Sequence, residues 1–288
     1  MRNSYVSSRL LFCCLFILSF TLSCRSDADI RIALVSDIHY AEKPNAGNRH
    51  YAQSLEKARQ AIATFNENEA DFMVLLGDNI DEVDKESDLT NLKILDEELS
   101  RFNGERHYVL GNHDLGSLTK EEFLAKTGRA GEAAHYSFSR AGYHFIVLDP
   151  NFRQDGIEYS RGNFGWTDSY LPSEQLIWLK NELELSRSKG KKVIIFIHQI
   201  LWNIEDDPHG VKNNDEIRAI LEQSGNVTAV FQGHYHHGGY KKINGIHYVG
   251  IHPMVEGDTN AFAELTISSE GKIELIGYGR QPGMILRE

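Results

Sequence analysis

The sequence predicts an α/β fold, and three observations carry that prediction. Short apolar runs rich in Val, Ile, Leu and Phe recur along the chain. Stretches with apolar residues on one helical face lie between several of them. The runs end abruptly in Gly, Asp, Asn and His, and the order strand, polar turn, helix argues for a sheet with its polar turns at one edge.

Taken in order, Ile30-Arg31-Ile32-Ala33-Leu34-Val35 reads as a buried strand that ends at Ser36-Asp37-Ile38-His39. Leu55, Ala58, Ile62 and Phe65 share one face of a helix from about Tyr51 to Asn66. Phe72–Leu76 is a second strand, ending at Gly77-Asp78-Asn79-Ile80-Asp81. A charged helix from about Ser87 to Ser100 precedes the strand His107–Leu110 and the turn Gly111-Asn112-His113-Asp114. Tyr136–Arg140 and Tyr143–Leu148 form a hairpin about Ala141-Gly142. A helix from Ser173 to about Ser186 leads to the strand Val193–Ile197, which ends at His198. Val227–Phe231 is the strand before Gly233-His234-Tyr235-His236. Runs near Ile246–Ile251, Ala261–Ile267 and Ile273–Tyr278 suit an antiparallel finish.

With 41% hydrophobic and 25% charged residues the 288-residue chain has the composition of a globular protein, long enough for one sizeable core. No repeat or linker divides it, so residues 30–288 read as one domain. Residues 1–23 differ. Arg2 and Arg9 precede an apolar run from Leu10 to Cys24, too short to span a bilayer comfortably, and the pattern is that of a secretory signal peptide. Thr21-Leu22-Ser23-Cys24 resembles a bacterial lipoprotein box, with Leu22 and Thr21 departing from the usual small and aliphatic residues. The expectation is export to the periplasm or outer surface, with membrane contact only through a lipid on Cys24.

Loss of Arg2 and Arg9 would take the 30 basic residues to 28 against 41 acidic ones, a net charge of −13. Such a field repels polynucleotide backbones and excludes a nucleic acid partner. Cys13, Cys14 and Cys24 are the only cysteines. Any metal held after residue 24 must therefore use nitrogen and oxygen ligands.

Five strand ends supply them: Asp37-x-His39, Gly77-Asp78-x-x-Asp81, Gly111-Asn112-His113-Asp114, His198 and Gly233-His234-x-His236. Each alone suits an ordinary turn; five together point to one centre, because ligand sites gather at the carboxyl ends of such strands. The donor types fit two divalent cations, which sit about 3.5–4 Å apart and need an anion between them. Asp78 is the natural bridge. One ion would take Asp37, His39, Asp78 and His236, and the other Asp78, Asn112, His198 and His234. With two carboxylates and a bridging hydroxide the formal charge is about +1, a centre that attracts a phosphate oxygen. His113 can reach a leaving oxygen as proton donor, with Asp114 or Asp81 holding its ring. Mn, Fe, Zn and Co all suit such ligands.

The five blocks match, in order and type, those of the calcineurin-like metallophosphoesterases, and the chain resembles that superfamily from about Ile30 to Gly238. The resemblance implies a four-layer α/β/β/α sandwich around a two-metal site. Arg49-x-Tyr51-x-x-Ser54-Leu55, Glu174-Gln175-Leu176-x-Trp178-Leu179, Gly238-Gly239-Tyr240 and Gly279-Arg280-x-Pro282 are similar to one branch, the manganese-dependent ADP-ribose/CDP-alcohol diphosphatases. His39 stands where that branch often has glutamine. The branch implies manganese and a small nucleotide-type substrate whose phosphodiester or diphosphate bond is cut by the bridging hydroxide. Phosphomonoesters and cyclic nucleotides are the alternatives, and a non-catalytic scaffold is the reading of another class. Arg49 and Arg280 are candidates for a second phosphate. Phe164 and Trp166, in a long loop, are candidates for stacking on a base. His237 reads as a bystander.

Overall fold

The computed structural model describes residues 29–204 and 208–287. The leader and the Cys24 box lie outside the described residues. Among the described residues, no helix is long and apolar enough to cross a membrane.

Two six-stranded sheets face each other. The first runs β12 (Met284–Leu286), β11 (Ile273–Gly279), β10 (Ala261–Ile267), β1 (Ile30–Val35), β2 (Phe72–Leu75) and β3 (Glu105–Tyr108). The second runs β4 (Tyr136–Arg140), β5 (Tyr143–Val147), β6 (Lys192–Ile197), β7 (Val227–Gln232), β9 (Ile246–Gly250) and β8 (Gly239–Ile243). β1, β2 and β3 are parallel, and so are β5, β6, β7 and β9. Parallel strands point their carboxyl ends the same way, so each sheet offers a row of turns at one edge.

The layers follow from which faces are apolar. Leu34, Phe72, Val74, Phe145, Phe196 and Phe231 fill the space between the sheets. Each such side chain contributes about 1.5–3 kcal/mol on burial. On the outer side of the first sheet, α1 (Ser54–Glu67) and α2 (Lys85–Leu99) lay Ala58, Ile62, Phe65, Leu92 and Leu95 against Val35, Met73 and Leu75. On the outer side of the second, α4 (Ser173–Ser188) and α5 (Asn214–Ser224) lay Leu179, Leu183, Ile217 and Leu221 against Ile146, Ile195 and Val230. The result is the expected α/β/β/α sandwich.

Several elements differ from the sequence reading. The strand placed at His107–Leu110 begins at Glu105 and leaves the ladder after Tyr108, although Val109 still donates to the Leu75 carbonyl. The run near Ile246 does not join the antiparallel finish. It lies in the second sheet, parallel to β7 on one side and antiparallel to β8 on the other, while β10, β11 and β12 close the first sheet antiparallel. An apolar run reads the same in either sheet, so the pattern could not assign it. Unassigned in the sequence were α5, β8, β12 and α3 (Lys120–Lys126), the last started by a capping box of Thr119 and Glu122.

Candidate metal centre

The residues after five strand ends converge on one place. β1 delivers Asp37 and His39, β2 delivers Asp78 and Asp81, and β3 delivers Asn112 and His113 from the first sheet. β6 delivers His198, and β7 delivers His234 and His236 from the second. Backbone hydrogen bonds carry the alignment past the strands: Asp37 N–H donates to Gly77 O at 3.1 Å and His39 N–H to Asp78 O at 2.8 Å. Gly233 N–H donates to His198 O at 2.9 Å, tying β7 to β6.

The backbone is strained where it presents these groups. Asp37, His39, Asp78 and His234 have φ of 50°, 46°, 50° and 62°. Non-glycine residues in that region each cost roughly 1–3 kcal/mol and persist where the surroundings demand them. Two glycines permit the close approach. A Cβ on Gly111 would overlap Asp78 Oδ1 and the Asp78 backbone nitrogen, and one on Gly233 would overlap Ser36 Oγ and come within 2.7 Å of Asp37 Oδ2.

Two groups of ligand atoms meet at Asp78, and a third, of His39, Asp81 and His113, lies beside them. Asp37, His39 and His236 form one, with His236 Nε2 at 3.5 Å and His39 Nε2 at 3.8 Å from Asp37 Oδ1. Asp78, His198 and His234 form the other, with His198 Nε2 3.1 Å from Asp78 Oδ2. Asp78 Oδ2 is also 3.5 Å from His39 Nε2, so this carboxylate stands between the groups. Asp37, Asp78 and His198 are at most 1% exposed. Burial opposes ionisation of Asp37, but hydrogen bonds with His236 and His39 outweigh it and hold the carboxyl well below its usual range. Asp78 is likewise buried and is lowered by the neighbouring His198 and His113.

The donor set fits a pair of divalent cations. Both ring nitrogens of His39, both side-chain polar atoms of Asn112, and Nε2 of His198 and His234 are buried and make no well-aligned hydrogen bond within the protein, although His198 Nε2 has the Asp78 carboxylate close by. Leaving one such group unpaired costs about 1–3 kcal/mol, so a buried cluster of them needs a ligand. His198 Nδ1 lies 2.7 Å from the Leu76 carbonyl, which can only accept; its proton is there, and Nε2 offers a lone pair to the centre. His236 Nδ1 lies 2.7 Å from Glu256 Oε1, which orients that ring similarly.

Asp81, not Asp114, holds His113. His113 Nδ1 is 2.7 Å from Asp81 Oδ1. Asp114 is occupied elsewhere, accepting from Asn79 N–H at 2.8 Å, Ile80 N–H at 3.2 Å and Gly111 N–H at 2.9 Å. It braces the turns carrying Asp78 and Asn112, and it is no part of the His113 pair.

A cleft of about 390 Å³ opens on the centre, lined among others by Arg49, Asn112, His113, Trp166, His234 and Glu256. Trp166, 45% exposed, sits with its ring centroid 4.9 Å from His209 and 6.3 Å from His234. Phe164 does not line the cleft; it packs on Tyr159 at 5.2 Å with its ring 6.5 Å from His113. Arg280 is not brought to the cleft either. Its guanidinium donates to the carbonyls of Thr259 and Pro253, at 3.1 and 2.5 Å, and secures the loop before β10. His237 does line the cleft wall. Sequence reasoning missed Glu256 and His209 as cleft residues, because no strand-end pattern marks them, and passed over Tyr235 as the spacer between His234 and His236.

A four-layer sandwich with Asp, Asn and His gathered at strand ends is the frame of a metal-dependent phosphoester hydrolase. The model of the calcineurin-like phosphoesterase family matches residues 30–238, and the chain belongs to that family. A manganese-dependent ADP-ribose/CDP-alcohol diphosphatase of Oryza sativa is 26% identical, over 85% of this chain and 89% of that protein. The protein of the same name from Arabidopsis thaliana is 25% identical, over 86% of this chain and 93% of its own. The crystal structure of a dimetal phosphatase from Danio rerio is similar in fold, with a TM-score of 0.79 at 21% identity, covering 89% of this chain and 98% of that one.

Proposed function

We propose that this chain hydrolyses phosphodiester or diphosphate bonds in small nucleotide-type compounds of the ADP-ribose and CDP-alcohol kind, using two divalent ions with manganese favoured. Asp37, His39, Asp78 and His236 would hold one ion, and Asp78, Asn112, His198 and His234 the other. Bound there, the pair supplies Lewis acidity toward phosphoryl oxygens and a nucleophilic water. The observation that carries the reading is the pair of ligand groups on either side of Asp78, with His113 beside them at the floor of one cleft.

The chain's own residues divide the remaining work. Asp78 and Asp37 supply the negative charge that keeps two cations together. His113, its Nδ1 held by Asp81, can direct Nε2 at a departing oxygen and hand it a proton. Arg49, on the cleft wall, is suited to a second phosphate. The exposed face of Trp166 suits a base or sugar. Relatives named as ADP-ribose/CDP-alcohol diphosphatases support the substrate class.

Activity of the manganese-loaded protein on ADP-ribose, CDP-alcohols, a cyclic nucleotide, an aryl diester and an aryl monoester tests this. The first two should be cut with the highest kcat/KM. Preference for the monoester would replace the reading with a phosphomonoesterase, and no cleavage at all would leave a binding scaffold. Residues 1–23 as a cleaved leader and Cys24 as a lipid-bearing first residue belong to the same proposal. Mass spectrometry of the chain after export by a bacterial host tests them; an intact leader or an unmodified cysteine would reject each in turn.

A further inference from the structure

Lys43 is assigned no role by the strand-end motifs, yet it touches Asp81, the nearer of two carboxylates at His113 Nδ1, with Glu82 Oε1 the farther at 4.0 Å. Its Nζ lies 3.0 Å from Asp81 Oδ2 and donates to the Glu82 carbonyl at 3.0 Å. The same ammonium sits over the Tyr51 ring, 4.4 Å from its centroid. The lysine is thus fixed from three sides while 24% of its side chain stays exposed.

The partners of Asp81 divide by oxygen. Oδ1 takes His113 Nδ1 at 2.7 Å and the Glu82 N–H at 3.1 Å, and it lies 3.7 Å from His39 Nδ1. On Oδ2, Lys43 is the charged partner. A carboxylate pinned at both oxygens cannot swing about its Cβ–Cγ bond. Released by Lys43, with the neutral Tyr51 hydroxyl its remaining neighbour from that segment, it could turn toward His39, whose ring is edge-on to that of His113 at 4.8 Å. Lys43 does not line the cleft and touches none of Asp37, Asp78, Asn112, His198, His234 or His236.

We propose that Lys43 is a positioning residue. By anchoring Asp81 Oδ2 it keeps Oδ1 on His113 Nδ1, and so keeps His113 Nε2 aimed at the departing oxygen. The inference rests on the reading of His113 as proton donor to the leaving group. A position of this kind acts on turnover and leaves substrate affinity alone, because Lys43 lies outside the cleft.

The test compares wild type, Lys43→Met, Lys43→Gln, Lys43→Arg and His113→Ala, each loaded with manganese, on an alkyl nucleoside diphosphate ester and on a p-nitrophenyl diester. Lys43→Met should lower kcat for the alkyl ester about tenfold, with a smaller loss on p-nitrophenyl and an unchanged KM. Lys43→Arg should recover most of the rate, and Lys43→Gln, which keeps a neutral N–H donor without the charge, should fall between. Manganese content should match wild type throughout. Independently of activity, the zinc-loaded protein should show a low-field imidazole N–H proton resonance that vanishes in His113→Ala. That resonance should broaden or shift in Lys43→Met and return in Lys43→Arg. Wild-type turnover in Lys43→Met, equal losses on both esters, or an arginine variant no better than methionine would overturn the inference. If Lys43→Met does not fold, Lys43→Gln and Lys43→Arg decide alone: equal rates on the alkyl ester overturn it. An unaffected His113→Ala would instead sink the proton-donor reading, whereas a slow His113→Ala beside a normal Lys43→Met would reject only the role of Lys43.

Discussion

His198 reaches from one sheet to the other: its Nε2 is 3.1 Å from Asp78 Oδ2, and its Nδ1 is 2.7 Å from the Leu76 carbonyl. β6 supplies the imidazole, and the end of β2 supplies both of its partners. The centre is therefore built across the interface between the sheets, and its ligands are aligned only when the sandwich is closed. Three predictions test what this arrangement implies, and a fourth tests a buried histidine away from it.

Asp78 stands between the two ligand groups, so its charge serves both. Asp78→Asn keeps the shape and removes the anion. It should lose at least one manganese per chain and nearly all hydrolysis, read by metal analysis after dialysis and by initial rates. Full metal content in this variant would remove Asp78 from its bridging place.

His113→Ala should retain its metals, because His113 belongs with His39 and Asp81 to a third group and to neither of the two that meet at Asp78. Its rate should fall about 10²–10⁴-fold on esters with poor leaving groups and less on p-nitrophenyl esters. The slope of log kcat against leaving-group pKa is the measurement, and an unchanged slope would remove His113 from proton transfer.

Gly111→Ala forces a methyl group against Asp78 Oδ1 and the Asp78 backbone nitrogen. Overpacking of a rigid site costs about 1–3 kcal/mol, here concentrated on the ligand turn. Urea unfolding should show that loss, with weaker manganese binding beside it. Wild-type values for both would mean the turn is looser than the geometry demands.

His107 gives a pH dependence separate from the centre. It stacks on Phe138 with ring centroids 3.8 Å apart, and burial, then the charges of Arg129 and Arg140, lower its pKa to about 4. The unfolded chain takes up this proton near pH 6.5, while the folded chain resists until about pH 4. In that window the unfolded state binds more protons, so stability falls as pH falls, by up to about 3 kcal/mol in all. His107→Phe should remove this part of the acid loss. Urea midpoints at about pH 7 and about pH 4.5 check it; an identical drop in both proteins would reject the assignment.

Much of the centre was legible because its ligands follow apolar strands directly. Where a strand ends in Gly-Asp or Gly-Asn-His, the side chain cannot stray far from the sheet edge. The companions of those ligands were not legible. Glu256 orients His236 from a loop following β9, a strand whose own pairing could not be read from its apolar run. Asp81 and Asp114 are equally close to their strand ends, and only the path of the turns gives His113 to Asp81. Arg280 shows the reverse error: a guanidinium in a motif looked like a phosphate ligand, but unpaired loop carbonyls claimed it first. Lys43 carries no motif at all, and its place depends on how the segment after His39 folds back over Asp81.

Asp37, His39, Asp78, Asn112, His198, His234 and His236 are proposed to hold two cations at once. Equilibrium dialysis of the wild-type protein against manganese, followed by elemental analysis, counts them. Two ions per chain are expected, at least one of them lost in Asp78→Asn; a plateau at one ion, or none, in the wild-type protein would refute the paired site.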